Sequence, residues 1–261
     1  MLMRPMLTRE SHPYRSRMEL NMKTLHKSGG FAALYLAVAY LIGMVIFLAV
    51  LDYPSITDPA QKVALLVDMQ TVTFLTNLIM YVFFGVVLVV LSLALYDRLK
   101  SGAPALMQAA AALGVVWAGS LIASGMVANA GIAPVVALYA TDPAQAALTW
   151  QTIETVAGGL GNFNGEILGG LFTLLVSLAA LRAGALPRVL NILGLFVGMV
   201  GILSLVPALT ELLTGVFGLG QIVWFVWLGI ALLRGKPGMA GQQSAEFTPP
   251  EAPATSSYTT A

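Results

Sequence analysis

The stretch VTFLTNLIMYVFFGVVLVVLSLALY, residues 72–96, decides the fold. It contains no charged side chain, and Asp97, Arg98 and Lys100 follow almost at once. A bilayer hydrocarbon core of about 30 Å takes about 20 helical residues at about 1.5 Å each. Lipid offers no partner for open backbone groups, so a segment crossing it must be helical. Five further segments read the same way: Phe31–Leu51, Ala105–Asn129, Leu160–Leu181, Pro187–Val206 and Thr214–Leu233.

Composition agrees with that reading. Of the 261 residues 58% are hydrophobic and 10% charged, against about 45–50% and about 25% in soluble globular chains. Too few charges remain to cover a soluble surface, and a disordered chain would be poor in apolar residues. The apolar residues come in unbroken blocks, unlike the alternating strands of an outer-membrane barrel. The expected fold class is all-α, a polytopic membrane protein built as a six-transmembrane-helix bundle. Residues 29–234 form that bundle, preceded by a basic arm without fixed structure at 1–28. After it, residues 235–261 are rich in Gln, Pro, Ser and Thr. They bury too little apolar surface to offset the entropy of ordering and read as a disordered tail.

Cationic residues set the topology. Arg4, Arg9, Arg15, Arg17, Lys23 and Lys27 precede the first span; Arg98 and Lys100 follow the second, Arg182 and Arg188 the fourth, Arg234 and Lys236 the sixth. Twelve of the thirteen thus fall on one side. Only Lys62 lies on the other, among Asp52, Asp58, Asp68, Asp142, Glu154 and Glu211. The positive-inside rule places both termini in the cytoplasm. The first apolar run is too long for a signal peptide, and no small-residue cleavage pattern follows it. The first 21 residues are either a disordered arm or a preface to a start at Met22.

Several chemistries are excluded. Cys is absent, and both histidines, His12 and His26, precede the first span, so no membrane-embedded imidazole binds haem or shuttles protons. No lysine sits inside a span to form a retinal Schiff base. There is no H-E-x-x-H, G-x-S-x-G or P-loop motif and no pair of membrane acids. No helix carries the repeated arginines of a voltage sensor. A net charge of +1 gives no signal for nucleic acid. We expect no catalytic residue, no metal site, no cofactor and no enzymatic activity, with the lipid bilayer as the main partner.

Two segments opposite the cationic side share a pentapeptide, Thr57-Asp58-Pro59-Ala60-Gln61 and Thr141-Asp142-Pro143-Ala144-Gln145. Asp followed by Pro starts a helix, because the carboxylate caps free N–H groups and Pro fits the first turn. The pair reads either as a duplicated helical hairpin or as two uses of one capping chemistry. The Asn and Gly residues that follow at matching distances, Asn77 with Gly85 and Asn162 with Gly170, are better explained by membrane composition. Tyr53, Tyr139 and Trp150 at this side, and Tyr96 at the other, suit an interfacial aromatic belt. Trp224 and Trp227 suit packing or lipid contact.

The fourth span carries the most information. Ala157, Gly161, Gly165 and Gly169 recur at every fourth position and form a small-residue packing seam, with Gly114, Ala118, Gly119 and Ala123 as a partner surface on the third span. The same seam is a surface through which a homo- or hetero-oligomer could form. Gln151, Thr155, Asn162, Glu166 and Thr173 align as a polar stripe beside it. Glu166 is the only acid inside a span, and a charged carboxylate there costs several kcal/mol unless it faces a wet cavity or a partner. It lies about 24 Å from the cationic side at helical rise. Asn77, Asn162, Glu166 and Gln221 come from three helices running in the same direction, with Asn77 near the outer edge and Gln221 about 20 Å from the cationic side. They either converge in an outward-facing polar pocket or make separate interhelical hydrogen bonds worth about 0.6–2 kcal/mol each.

Gly29-Gly30-Phe31-Ala32-Ala33-Leu34-Tyr35-Leu36 opens the first span, and Leu93-Ala94-Leu95-Tyr96-Asp97-Arg98-Leu99 closes the second. Gly169-Gly170-Leu171-Phe172 leads through Leu181-Arg182-Ala183-Gly184-Ala185-Leu186-Pro187-Arg188-Val189-Leu190 into the fifth. Over about residues 29–234 this resembles the bacterial six-span proteins grouped as domain of unknown function 4386. Asn191 departs from the pattern, standing where the hinge usually continues with Gly. The resemblance implies a bacterial inner-membrane setting and no established activity, cofactor or catalytic residue. Two functions fit: a non-enzymatic structural or regulatory membrane component, or a small-solute or ion permease using the pocket around Glu166.

Overall fold

A computed structural model of the chain describes residues 12–161 and 166–234, with side chains from residue 27 onward. Among these residues there is no strand. Helix α1 (His12–Val45) continues as a π-helical turn, Ile46–Val50, and a short 3-10 turn at Tyr53–Ser55 follows. Then come α2 (Pro59–Asp68), α3 (Gln70–Asn77), a second π-helical segment at Leu78–Phe83, and α4 (Phe84–Leu99). The remainder is α5 (Pro104–Tyr139), α6 (Pro143–Leu160), α7 (Ile167–Ala183), α8 (Arg188–Leu203) and α9 (Thr210–Arg234). Helical geometry already starts at His12, inside the arm expected to lack structure.

Four helical stretches are long and apolar enough to cross a membrane: Lys27–Val50, Gln70–Leu99, Pro104–Tyr139 and Thr210–Arg234. Ile167–Ala183 and Arg188–Leu203 are apolar but shorter. Their outward faces are those of a protein dissolved in lipid. Val86, Val90 and Leu93 on α4 and Ile192, Phe196 and Met199 on α8 recur at helical spacing and are exposed, Phe196 to 60%. A water-soluble bundle would place polar residues there.

The helices close into a ring in which each of α1, α4, α5, α7, α8 and α9 packs on the next, and α9 packs back on α1. Without a hydrophobic drive between helices in lipid, close backbone approach supplies the packing. At the α1–α9 closure, a Cβ on Gly229 would lie 2.9 Å from the Gly30 carbonyl oxygen. At α7–α8, a Cβ on Gly170 would lie 2.8 Å from Gly198 O and 2.9 Å from Ile202 N.

An aromatic layer fills the middle of the ring. Phe84 from α4 makes edge contacts with Tyr40, Trp117 and Phe225 at centroid distances of 5.3, 5.9 and 6.3 Å, and Trp117 reaches Phe172 at 5.9 Å. These separations are those of favourable ring pairs. From that layer to the end bearing Arg98, Arg182, Arg188 and Arg234, the interior is solid: Leu91, Leu95, Leu99, Met107 and Leu190 are fully buried. At this end Gly184, with φ of 59°, terminates α7, and Asn191 Nδ2 donates to Leu186 O at 3.3 Å across the hinge. Asn191 therefore ties down the hinge it follows.

The opposite end is built differently. With thirty-six residues, α5 is about 54 Å long at about 1.5 Å per residue, well beyond a bilayer core. It continues past Asn129, where the third span was expected to stop. Its projecting part packs against α6 and α2, forming a separate small core of Val63, Leu66, Ile132, Val135, Ala146 and Trp150. Trp150 is thus a core residue of this cap and not an interfacial anchor. Both pentapeptides start helices as expected: Asp58 Oδ1 accepts from Ala60 N at 3.0 Å before α2, and Asp142 Oδ1 from Gln145 N at 3.0 Å before α6.

The fourth span needs the largest correction. It is not one helix from Leu160 to Leu181, because α6 ends at Leu160 and α7 starts at Ile167. The seam of Ala157, Gly161, Gly165 and Gly169, and the stripe from Gln151 to Thr173, both assumed an unbroken helix; the break divides each between two elements. Gly169 packs on Trp117 and Phe217, and Gly161 faces Ser124 and the Tyr81 ring. Both glycines make contacts inside the chain. Gly165 lies outside the described residues. On the expected partner surface, Gly114 packs on Phe172, whereas Gly119 meets nothing.

Candidate functional site

The break between α6 and α7 positions the site. The run Gly158-Gly159-Leu160-Gly161 has little helix-forming tendency. Ending a helix frees most of its last carbonyls; Ala157 O keeps a backbone donor, Gly161 N at 2.8 Å, and two α5 serines add hydrogen bonds at this end. Ser124 Oγ donates to Ala157 O at 2.7 Å, and Ser120 Oγ donates to Leu160 O. On the other side of the break, Glu166 occupies the N-cap of α7 with φ −88° and ψ 47°. Its backbone N–H donates to Ser204 Oγ at 2.8 Å, and that hydroxyl donates on to Gly201 O at 2.7 Å. The carboxylate makes no capping bond. The backbone of Glu166 is fixed while its side chain is left for another purpose.

That side chain lines a cavity of about 860 Å³ above the aromatic layer. Tyr40 and Phe84 contribute to both the layer and the cavity wall. The two π-helical segments supply Leu48, Met80 and Tyr81, and the start of α9 supplies Thr210, Glu211 and Thr214. Glu166 Oε2 and Thr214 Oγ1 are buried there without a hydrogen-bond partner. Unsatisfied buried oxygens are uncommon in folded proteins and call for a physical reason. A carboxyl group in the wall of a hollow of this size, with one oxygen buried and unpartnered, is suited to meet a donor or a cation.

The four residues expected to converge do not form one cluster. Glu166 lines the large cavity. Asn77 is buried and donates through Nδ2 to Asn129 Oδ1 at 2.9 Å, while Asn129 Nδ2 donates to Phe74 O at 3.2 Å. It borders a second, smaller cavity of about 60 Å³ beneath the cap. Gln221 is paired with Thr173 between α7 and α9: Thr173 Oγ1 donates to Gln221 Oε1 at 3.1 Å, and Gln221 Nε2 donates to Thr173 Oγ1 at 3.0 Å. Both amides are thus engaged in interhelical hydrogen bonds. Asn162 lies outside the described residues.

Tyr81 joins the two hollows, since it lines both. Sequence reasoning missed it together with Tyr40, Thr214 and Glu211. It also missed the partner of Lys62, whose ammonium donates to Glu154 Oε1 and Oε2 at 3.0 and 3.2 Å and lies 4.7 Å from the centre of the Tyr53 ring. Trp150 Nε1 donates to Tyr53 Oη at 3.2 Å in the same group. Burial among these residues pushes the Tyr53 phenol above its ordinary range. The group clasps α2, α6 and the Tyr53–Ser55 turn over the small cavity. No cluster of three or more potential metal ligands occurs among the described residues.

Neither a curated protein nor a solved structure matches the chain. A family model does, over residues 30–231, which takes in the whole helical ring from the start of the first apolar segment to the last turn of α9. The chain therefore belongs to the family described as Domain of unknown function (DUF4386).

Proposed function

We propose that this is a non-enzymatic bacterial inner-membrane protein that crosses the bilayer six times, keeps both termini in the cytoplasm, and receives a small solute in the Glu166 cavity from the opposite side. The distribution of cationic residues supports the orientation. The sixfold crossing is supported by the closed ring, in which α7 and α8 are full members. With seventeen and sixteen residues they span about 25 Å and about 24 Å, close to the thickness of a bilayer core. The observation that carries the reading is the 860 Å³ hollow lined by Glu166, one of whose carboxyl oxygens is buried without a partner. The aromatic layer closes that hollow toward the cationic end, which favours a binding or regulatory component.

A permease is the second reading, favoured by the α6–α7 break, since interrupted helices line the central sites of many transporters. Single cysteines in place of Glu166 and Thr214 test both, because the chain has no native Cys. A membrane-impermeant thiol reagent added to whole cells labels both positions on the binding reading, and inside-out vesicles leave them unlabelled. A permease also exposes them in inside-out vesicles. Silence in both preparations contradicts either reading.

A further inference from the structure

We propose that the cavity takes a protonated alkylamine, whose ammonium group sits between Glu166 and the rings of Tyr40, Tyr81 and Phe84. The inference rests on the solute-binding reading above and adds the chemical class of the ligand.

Charge comes first. The described lining holds two carboxylates, Glu166 and Glu211, and no lysine, arginine or histidine. Residues 162–165, next to Glu166 in the chain, are Asn, Phe, Asn and Gly and bring no cation either. The hollow therefore has carboxyl groups and no basic side chain to pair with them, so an entering cation meets no competitor, in surroundings where apolar side chains weaken solvent screening. An anion would be repelled.

Hydrogen bonding narrows the class. Glu166 Oε2 is buried and lacks a donor, and an ionised carboxylate can only accept. An ammonium carrying N–H groups fills that need, and Thr214 Oγ1, also unpartnered, can accept a second N–H. Fully alkylated ammonium ions satisfy the charge but not the acceptors. The aromatic faces complete the site. Three aromatic rings in the lining offer quadrupoles that attract a cation, and the apolar lining from Leu48, Met80 and Leu121 accommodates an alkyl chain. The amine is either a free solute or the ethanolamine headgroup of a lipid, and both present the same ammonium.

Butylammonium and 1-butanol test the charge requirement with the full chain in nanodiscs made of phosphatidylglycerol, which has no amine. Butylammonium is expected to bind, and 1-butanol of the same length to bind about tenfold more weakly or worse, the factor that corresponds to about 1.4 kcal/mol. Glu166→Gln, which keeps shape and removes charge, lowers butylammonium affinity by a similar factor, as does Tyr81→Leu from the aromatic side. Adding phosphatidylethanolamine to the discs weakens butylammonium binding if the headgroup is the natural occupant, and leaves it unchanged if a free amine is. Equal binding of butanol and butylammonium by the wild-type chain overturns the proposal, as does unaltered affinity in both variants. If thiol labelling at 166 and 214 succeeds while amine binding fails, the ligand class is wrong and the solute-binding reading stands. If labelling fails as well, both fall.

Discussion

The two halves of the helical ring are made from the same helices and differ in what those helices do. Toward the cationic end every element is regular and the interior is filled by Leu91, Leu95, Leu99 and Met107. Toward the other end, the α1 and α3–α4 stretches pass through π-helical turns, the α6–α7 path breaks, and two cavities open beside these irregular segments. Irregular backbone inside lipid is tolerated only where protein or a cavity covers it. The comparison teaches that one half holds the ring together, while the other departs from regular helix to make room around Glu166.

Substitutions separate the halves by size of effect. The largest loss is expected from Trp117→Ala, which empties the centre of the aromatic layer and lowers stability by about 3–5 kcal/mol, read as unfolding of the purified protein in detergent. Gly170→Val comes next. Its side chain has to displace the α8 backbone, and overpacking of this kind costs about 1–3 kcal/mol; a thermal shift on the same preparation measures it. Removing both α5 hydroxyls with Ser120→Ala and Ser124→Ala takes the serine donor from Leu160 O and leaves Ala157 O with Gly161 N alone, at about 1 kcal/mol for each bond lost. That loss should fall on the hollow end, seen as faster hydrogen exchange in α6 with α8 unchanged. Lys62→Met has the smallest effect, about 0.5–1 kcal/mol, and the difference from wild type should shrink as salt is raised, because the pair with Glu154 is partly open to solvent. If the Ser120/Ser124 double variant destabilises both ends equally, the two halves do not behave as distinct regions.

The regular half was legible in the sequence. Uninterrupted apolar runs bounded by arginines mark its helices, and the hinge through Gly184 and Pro187 falls where turn chemistry puts it. The Asp58 and Asp142 caps were equally legible, because a carboxylate before Pro has a local physical meaning. The hollow half was only partly so. Glu166 stood out as a lone acid among apolar residues, but its neighbours Tyr40, Tyr81 and Thr214 arrive from distant helices and carry no mark of their own. The π-helical turns that aim Met80 and Tyr81 leave no pattern in composition.

The helix break did leave a signal. Four glycines and two asparagines fall within residues 158–165, a density better suited to a break than to a packing seam. Small-residue spacing at every fourth position concealed it. The pairings of Asn77 with Asn129 and Gln221 with Thr173 were the bland alternative to a shared pocket, and geometry alone could decide between them.

Oxidative footprinting of the full chain in nanodiscs tests the division most directly, because native side chains report on both halves without mutation. Hydroxyl radicals generated in the surrounding water should modify Met80 and Tyr81 on the cavity wall while sparing Met107, Trp117 and Trp224 in the filled interior. Protection of Met80 and Tyr81 equal to that of Met107 and Trp117 would mean that water does not reach Glu166, and would contradict the account.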